Sequence, residues 1–332
     1  MNLTAQTFEP LEYVSDILPG MKAPNPDIRT ITDPQVAAEH IEAETASRLD
    51  ALFEHFTGTP AVLLSGGVDS IYVAAVAVRL GARPQAITII TNGESDAPNA
   101  TAAAAALGLT HDVIRLEVED VVSLARVVMN RLGTSELWEV TAGIPLVAAL
   151  PTLSRITNLG AILTGSGADA IFGGGRKLTH PVESAEARAE LDGLIRAESS
   201  ANFRYDRLVP DFYPDLLRGF ADRLVHVFQT VRWWQVAEQF APPALFGEHN
   251  GAVVDKLALR LACSKALPDS ARRLAWTAKA PIQRSSGLMP TLATAAREFA
   301  ANLPGATTYT DPRTEDPEAV ATRLYLALLN DN

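Results

Sequence analysis

The chain begins with a polar, proline-punctuated stretch (Met21-Lys22-Ala23-Pro24-Asn25-Pro26) and then becomes periodic. From about Asp33, apolar residues at Val36, Ile41, Leu49 and Phe53 fall on one face of a helix. The period then changes. Ala61-Val62-Leu63-Leu64 is a short continuous apolar run closed by Ser65 and two glycines, the form a strand takes when both its faces are covered. Ile71 to Leu80 predicts a helix stopped by Gly81, and Ala86-Ile87-Thr88-Ile89-Ile90 a second strand. Asn99 to Leu107 is an alanine-rich helix ended by Gly108, and Asp112 to Val118 has the character of a third strand. Helices over Val121–Leu132 and Ile144–Asn158 lead to a strand at Gly160-Ala161-Ile162-Leu163-Thr164. Strands alternating with helices predict an α/β fold, a parallel β-sheet flanked by helices and built from right-handed crossovers.

Beyond Gly175 the strand signal fades. Phe212–Phe228, Val253–Ala266 and Thr291–Leu303 carry helical periodicity, and a polar segment Thr307–Pro317 precedes a last helix from Glu318 to Leu329. The expected division is an N-terminal extension over 1–57, an α/β core over 58–180 and a mostly helical half over 181–332.

With 332 residues, nearly half of them hydrophobic, the chain can bury a sizeable core. No apolar run approaches the ~20 residues that a membrane-spanning helix needs. The first residues lack a basic region followed by an apolar stretch, so no secretory signal is read. The single cysteine, Cys263, excludes an internal disulfide and a cysteine-built zinc cluster, and the expected compartment is the reducing cytoplasm. A formal charge of −11 and a pI near 5.1 argue against a nucleic-acid surface and favour small-molecule substrates. His111, His180, His226 and His249 show no metal-ligand spacing and are expected to be ordinary loop or helix residues. Trp233-Trp234 and Cys263 are expected in the core.

Two motifs carry chemistry. Ser65-Gly66-Gly67-Val68-Asp69-Ser70 sits where a strand hands over to a helix, the place where parallel sheets put their ligands. Its glycines admit close approach, and its N–H groups, serine hydroxyls and helix N-terminus form a cradle for an anion. Asp69 makes little sense beside a bare phosphate, but it makes sense if Mg²⁺ bridges carboxylate and phosphate. Thr164-Gly165-Ser166-Gly167-Ala168-Asp169-Ala170-Ile171-Phe172-Gly173-Gly174 closes another strand and offers a second carboxylate, Asp169, at the same crevice edge.

The first motif resembles the PP-loop of the ATP pyrophosphatase superfamily. The second is similar to the Leu-Thr-Gly-Glu-Gly-Ala-Asp-Glu-Leu-Phe-Gly-Gly loop of asparagine synthetases, and to the corresponding loop of β-lactam and carbapenam synthetases. A third series supports the resemblance, in which Asp255-Lys256-Leu257-Ala258-Leu259-Arg260 and Ala266-Leu267-Pro268 precede Lys279-Ala280-Pro281-Ile282-Gln283-Arg284-Ser285-Ser286-Gly287. The likeness runs from about Thr59 to Gly287 in the same motif order. It implies an adenine nucleotide alpha hydrolase-like fold and cleavage of ATP between the α and β phosphates. It also implies an adenylated carboxylate that is passed to an amine or ammonia.

By the same resemblance, Leu63, Ser65, Gly66, Gly67, Asp69, Ser70, Ile90, Gly165 and Lys279 hold ATP, and Asp69 and Asp169 hold Mg²⁺. Lys279 is the catalytic lysine, with Arg284, Ser285 and Ser286 beside the pyrophosphate. Ser166 stands where asparagine synthetases carry a glutamate that handles the amine, and Ala170 stands where they carry another. A serine does not accept a proton at neutral pH. Asp206 is therefore a candidate replacement carboxylate, its alternative being a solvated helix charge. Lys256 is read as a plain surface charge and Arg260 as part of a structural salt bridge. The chain has no cysteine before Cys263, so it lacks the amino-terminal nucleophile of a glutaminase domain. The nitrogen then comes from free ammonia, a substrate amine or a separate glutaminase or biosynthetic partner. The expected function is an amide-forming synthetase of specialised metabolism, not ordinary asparagine synthesis. The alternatives are a tRNA- or base-modifying enzyme and a degenerate nucleotide-binding partner subunit. A homodimer rests on analogy alone.

Overall fold

β1 (Thr59–Leu63) lies at the centre of a five-stranded sheet, flanked by β2 (Gln85–Thr91) and β4 (Leu159–Thr164). β3 (His111–Leu116) and β5 (Leu224–His226) form the two edges, giving the order β3-β2-β1-β4-β5 with every neighbouring pair parallel. The structure is a computed structural model and describes residues 23–91, 97–202, 209, 211–277, 286–308, 310–316 and 327–328. The expected α/β class, a parallel sheet flanked by helices, is what it holds.

Successive strand residues point to opposite faces, and both faces are covered. Val62, Leu64, Ala86, Ala161, Leu163 and Val225 enter one apolar core, while Ala61, Ile87, Ile89, Ile162 and Leu224 enter the other. The first core is roofed by α1 (Pro34–His55), α2 (Val68–Arg79) and α3 (Ala97–Leu107). The second is roofed by α4 (Val118–Leu132) and α5 (Leu137–Leu153). Local signals set these helices. Asp33 caps α1 through the Gln35 N–H with Pro34 following it, and Glu117 and Asp120 form a capping box at α4, which Gly133 ends in the left-handed conformation.

After β4 come α6 (Ala168–Phe172), α7 (Ala185–Asn202) and α8 (Phe212–Leu217), then β5, α9 (Val231–Ala237) and α10 (Pro242–Leu245). A small antiparallel hairpin, β6 (Gly247–His249) with β7 (Ala252–Val254), leads into α11 (Leu257–Ala266), and α12 spans Leu288–Ala301. The stretch expected to be helical from Phe212 to Phe228 is therefore corrected. Only α8 is helical in the α sense, a 3-10 turn covers Arg218–Arg223, and Leu224–His226 adds the fifth strand. Three residues are too few to show a period, and β4 supplies the pairing that makes them a strand. α5 begins earlier than expected and ends at Leu153, short of Asn158, which takes a left-handed φ of 52°. Of the expected last helix Glu318–Leu329, residues 318–326 and 329 lie outside the described residues.

One buried ionic cluster locks the segment before α1 to the later helices. Arg29, fully buried, meets Asp192 of α7 at 3.0 Å and donates to the Phe240 carbonyl at 3.1 Å. Asp192 also accepts from Arg196 at 2.9 Å and from the Asn25 backbone N–H at 2.7 Å. Burial lowers the Arg29 pKa to about 10, and the Asp192 carboxylate acts against that shift. Removing one partner of such a buried pair strands the other charges. Asp192→Ala is expected to lower unfolding free energy by about 3–5 kcal/mol, read as the midpoint of urea denaturation. A loss below about 1 kcal/mol would show that the cluster does not hold the segment.

Candidate active site

The strand order reverses between β1 and β4. Their outgoing loops separate there and leave a crevice at the carboxyl edge of the sheet. The β1 loop is fixed by short internal bonds. Ser70 Oγ accepts from the Ser65 N–H at 3.1 Å, lies 3.1 Å from Ser65 Oγ and donates to the Gly67 carbonyl at 3.2 Å. Leu64 joins the loop to the sheet, donating its N–H to Ile87 at 2.8 Å, while its carbonyl accepts from Thr88 Oγ1 at 2.6 Å. Gly66 takes a φ of 84°, open to glycine at little cost. The loop runs into the N-terminus of α2, where backbone N–H groups favour an anion.

The β4 loop lies directly against it. A Cβ on Gly165 would stand 2.7 Å from the Asp69 carbonyl carbon and from the Ser70 backbone nitrogen, so only glycine permits this contact. Asp69 and Asp169 are thereby brought to one place, Asp69 with its side chain 3% exposed and Asp169 with 59% exposed.

Lys256 holds them together. It precedes α11 in a left-handed conformation (φ 50°), is itself 3% exposed, and extends Nζ to Asp69 Oδ1 at 2.7 Å and to Asp169 Oδ1 in a second ion pair. The surface-charge reading of Lys256 is thus corrected: the side chain is buried and bridges both carboxylates. Its neighbours form a brace. Asp255 accepts from the Gly175 N–H, and Arg260 meets Asp255 at 2.9 Å and donates to the carbonyls of Ala275 and Thr277, each at 3.0 Å. Arg260 is therefore in the structural salt bridge expected of it.

Two carboxylate oxygens converging on one cation are hard donors. Among the described residues no group of three or more His, Cys, Asp or Glu could hold a metal ion. The protein offers a pair of carboxylates, the donor set Mg²⁺ accepts when substrate phosphates and water complete its shell. The residues fit that ion.

The crevice opens into a cavity of about 570 Å³. Leu63, Ser65, Asp69, Ser70, Ile90, Gly165, Ser166 and Asp169, all expected site residues, line it. Gly66 and Gly67 stand in the loop behind. Asp206, Lys279, Arg284 and Ser285 lie outside the described residues. Ser286 lines the cavity, and its carbonyl accepts from the Thr91 N–H at 2.9 Å, which brings the chain that follows Lys279 to the end of β2. Further wall residues were missed in the sequence, among them Trp138, Pro145 and Leu146 of α5, Phe212 and Tyr213 of α8, and His226 and Gln229. His226 is not a loop or helix residue but ends β5. Its Nδ1 lies 2.7 Å from Thr164 Oγ1, and its ring lies 4.8 Å from that of Tyr213. His111 and His249 are likewise in strands, His111 bonding Thr88 Oγ1 at 2.8 Å while burial lowers its pKa. Trp233, Trp234 and Cys263 are core residues, and burial pushes the Cys263 thiol well above its ordinary pKa.

Compared with known families, residues 57–239 match the asparagine synthase family, more than half of the chain. The chain belongs to the asparagine synthase family. Membership makes it an ATP-dependent ligase of the amide-forming kind, acting on small molecules. No curated protein matches the chain. Among the described residues no helix is long and apolar enough to cross a membrane.

Gly165→Ala is expected to force the two loops of this family member apart, with a stability loss of about 1–3 kcal/mol and a fall in ATP affinity of about ten-fold or more. Gly193→Ala in α7, where a Cβ meets nothing, is the control and should stabilise by up to about 1 kcal/mol. Thermal unfolding and ATP titration of both variants measure this, and unchanged ATP binding in Gly165→Ala would sink it.

Proposed function

We propose that this family member adenylates a substrate carboxylate, releasing pyrophosphate, and then transfers the acyl group to an amine or ammonia, releasing AMP. The observation that carries the reading is the Asp69–Lys256–Asp169 bridge, with Asp69 and Lys256 buried, beside the Ser65–Ser70 loop at the point where the strand order reverses.

The loop N–H groups and the Ser65 and Ser70 hydroxyls bind the pyrophosphate end of ATP, while Leu63, Ile90 and Gly165 line the way to the rest of the nucleotide. Asp69 and Asp169 would hold Mg²⁺, which when bound supplies neutralising charge to the phosphates. Lys279, by resemblance, meets the negative charge that develops at the α-phosphate as the acid attacks. The Arg260 bonds to the Thr277 carbonyl and the Thr91 bond to Ser286 support that placement, because they fix the chain on both sides of Lys279.

Trp138, Pro145, Leu146 and Phe212 contribute apolar wall to the cavity, which Glu198, Tyr213, His226 and Gln229 also line. That wall favours an acid with an aliphatic or aromatic body over a small dicarboxylic amino acid. Together with Ser166 in place of an amine-handling glutamate, it supports a role in specialised metabolism in place of glutamine-dependent asparagine synthesis.

The test is exchange of labelled pyrophosphate into ATP with Mg²⁺, screened over pools of aliphatic, aromatic and amino acids. Exchange that depends on one acid is expected, with AMP as the nucleotide product once an amine is added. Asp169→Ala and Lys279→Ala should each lower the rate about 100-fold or more, the scale of removing a charge-stabilising group. Formation of ADP in place of AMP would refute the reading.

A further inference from the structure

Gln229 stands in the turn that leaves β5. Its N–H donates to the His226 carbonyl at 3.2 Å, and the next residue, Thr230, caps α9 through the Trp233 N–H at 3.0 Å. The side chain lines the cavity, and Gln229 as a whole is only 6% exposed. One end of its amide is satisfied, since Nε2 donates to Ser166 Oγ at 3.1 Å. The other is not. Oε1 is buried and has no hydrogen-bond partner among the described residues.

A buried carbonyl oxygen without a partner costs about 1–3 kcal/mol. Because Gln229 lines the cavity, the natural partner is a donor on the ligand. The position says which ligand. Ser166 follows Gly165, whose backbone rests on Asp69 and Ser70, so the amide is anchored at the phosphate end of the cavity. The carboxylate group that is adenylated presents acceptors and would not satisfy Oε1, whereas the attacking amine presents N–H donors.

We infer that Gln229, held in place by Ser166, is the acceptor that binds and orients the attacking amine. The inference rests on the adenylation reading above. The nitrogen lone pair attacks the acyl carbon of the adenylate, and the bond from that carbon to the phosphate oxygen breaks with its electron pair passing to AMP. The nitrogen's surplus proton goes to water, because an amide oxygen orients an N–H without taking the proton. Ser166 and Gln229 thus form a neutral pair for the nucleophile where asparagine synthetases place an acidic side chain.

Hydroxylamine serves as the probe nucleophile, with hydroxamate formation as one readout and acid-dependent pyrophosphate exchange as the other. Gln229→Leu keeps the volume and removes the acceptor. It should raise the KM for hydroxylamine about ten-fold, with exchange within about two-fold of wild type. Gln229→Glu restores an acceptor oxygen and should bring that KM back toward wild type. An unchanged KM in Gln229→Leu with exchange intact overturns the inference alone. Parallel loss of both readouts in Gln229→Leu, with no recovery in Gln229→Glu, would show a structural role and also overturn it. Wild-type protein that supports no exchange with any acid, with or without hydroxylamine, overturns the adenylation reading and this inference with it.

Discussion

Two carboxylates at neighbouring strand ends repel each other, and burial of one of them sharpens the penalty because little water remains to screen it. Lys256 is what lets Asp69 and Asp169 share a crevice. Its ammonium is nearly as buried as Asp69, so neither charge is tolerable without the other. The rest of the site follows from meeting that condition. Gly165 brings the loops close enough, the left-handed backbone at Lys256 aims the side chain, and Asp255 with Arg260 stops the start of α11 from drifting. A substrate that brings four or so negative charges in its phosphates enters a place already arranged around cation sharing.

Most of the sheet was legible in the residues. Three of its strands, β1, β2 and β4, are largely apolar runs because both faces are covered, and the glycine-rich loops announce themselves by composition. β5 was not, because Leu224–His226 is held by its pairing with β4 and not by any period of its own. Asp69, Asp169 and the loop glycines could be placed in one crevice by the strand-to-helix rule alone. Lys256 could not. As one half of an i, i+4 pair with Arg260 it has the signature of a solvated helix face, and the partner that buries it lies 187 residues earlier. The sequence around it did hold a sign, since Leu257-Ala258-Leu259 and Leu261-Ala262-Cys263 leave little polar surface for a helix that starts in water.

Gln229 and His226 were hidden for a related reason. Each is an ordinary polar residue until the β4–β5 pairing brings the end of β5 next to the loop after β4. Ser166 marked the pocket only as a departure from a familiar pattern, and its hydrogen-bond partner could be named only from geometry. On the proposed reading, the groups that meet the amine sit at the edge-strand end and in the loop after β4, while the nucleotide loop sits at the sheet centre.

Cys263 lies two helical turns beyond Lys256 on α11 and is wholly enclosed. As the chain's one thiol, fully buried and with its pKa raised by that burial, it is inert toward alkylating reagents for as long as α11 stays docked. Its labelling rate is therefore a clock for the opening of the helix that follows the bridging lysine. Ligands that draw the two carboxylates closer will slow that clock, even when they bind tens of residues away in sequence.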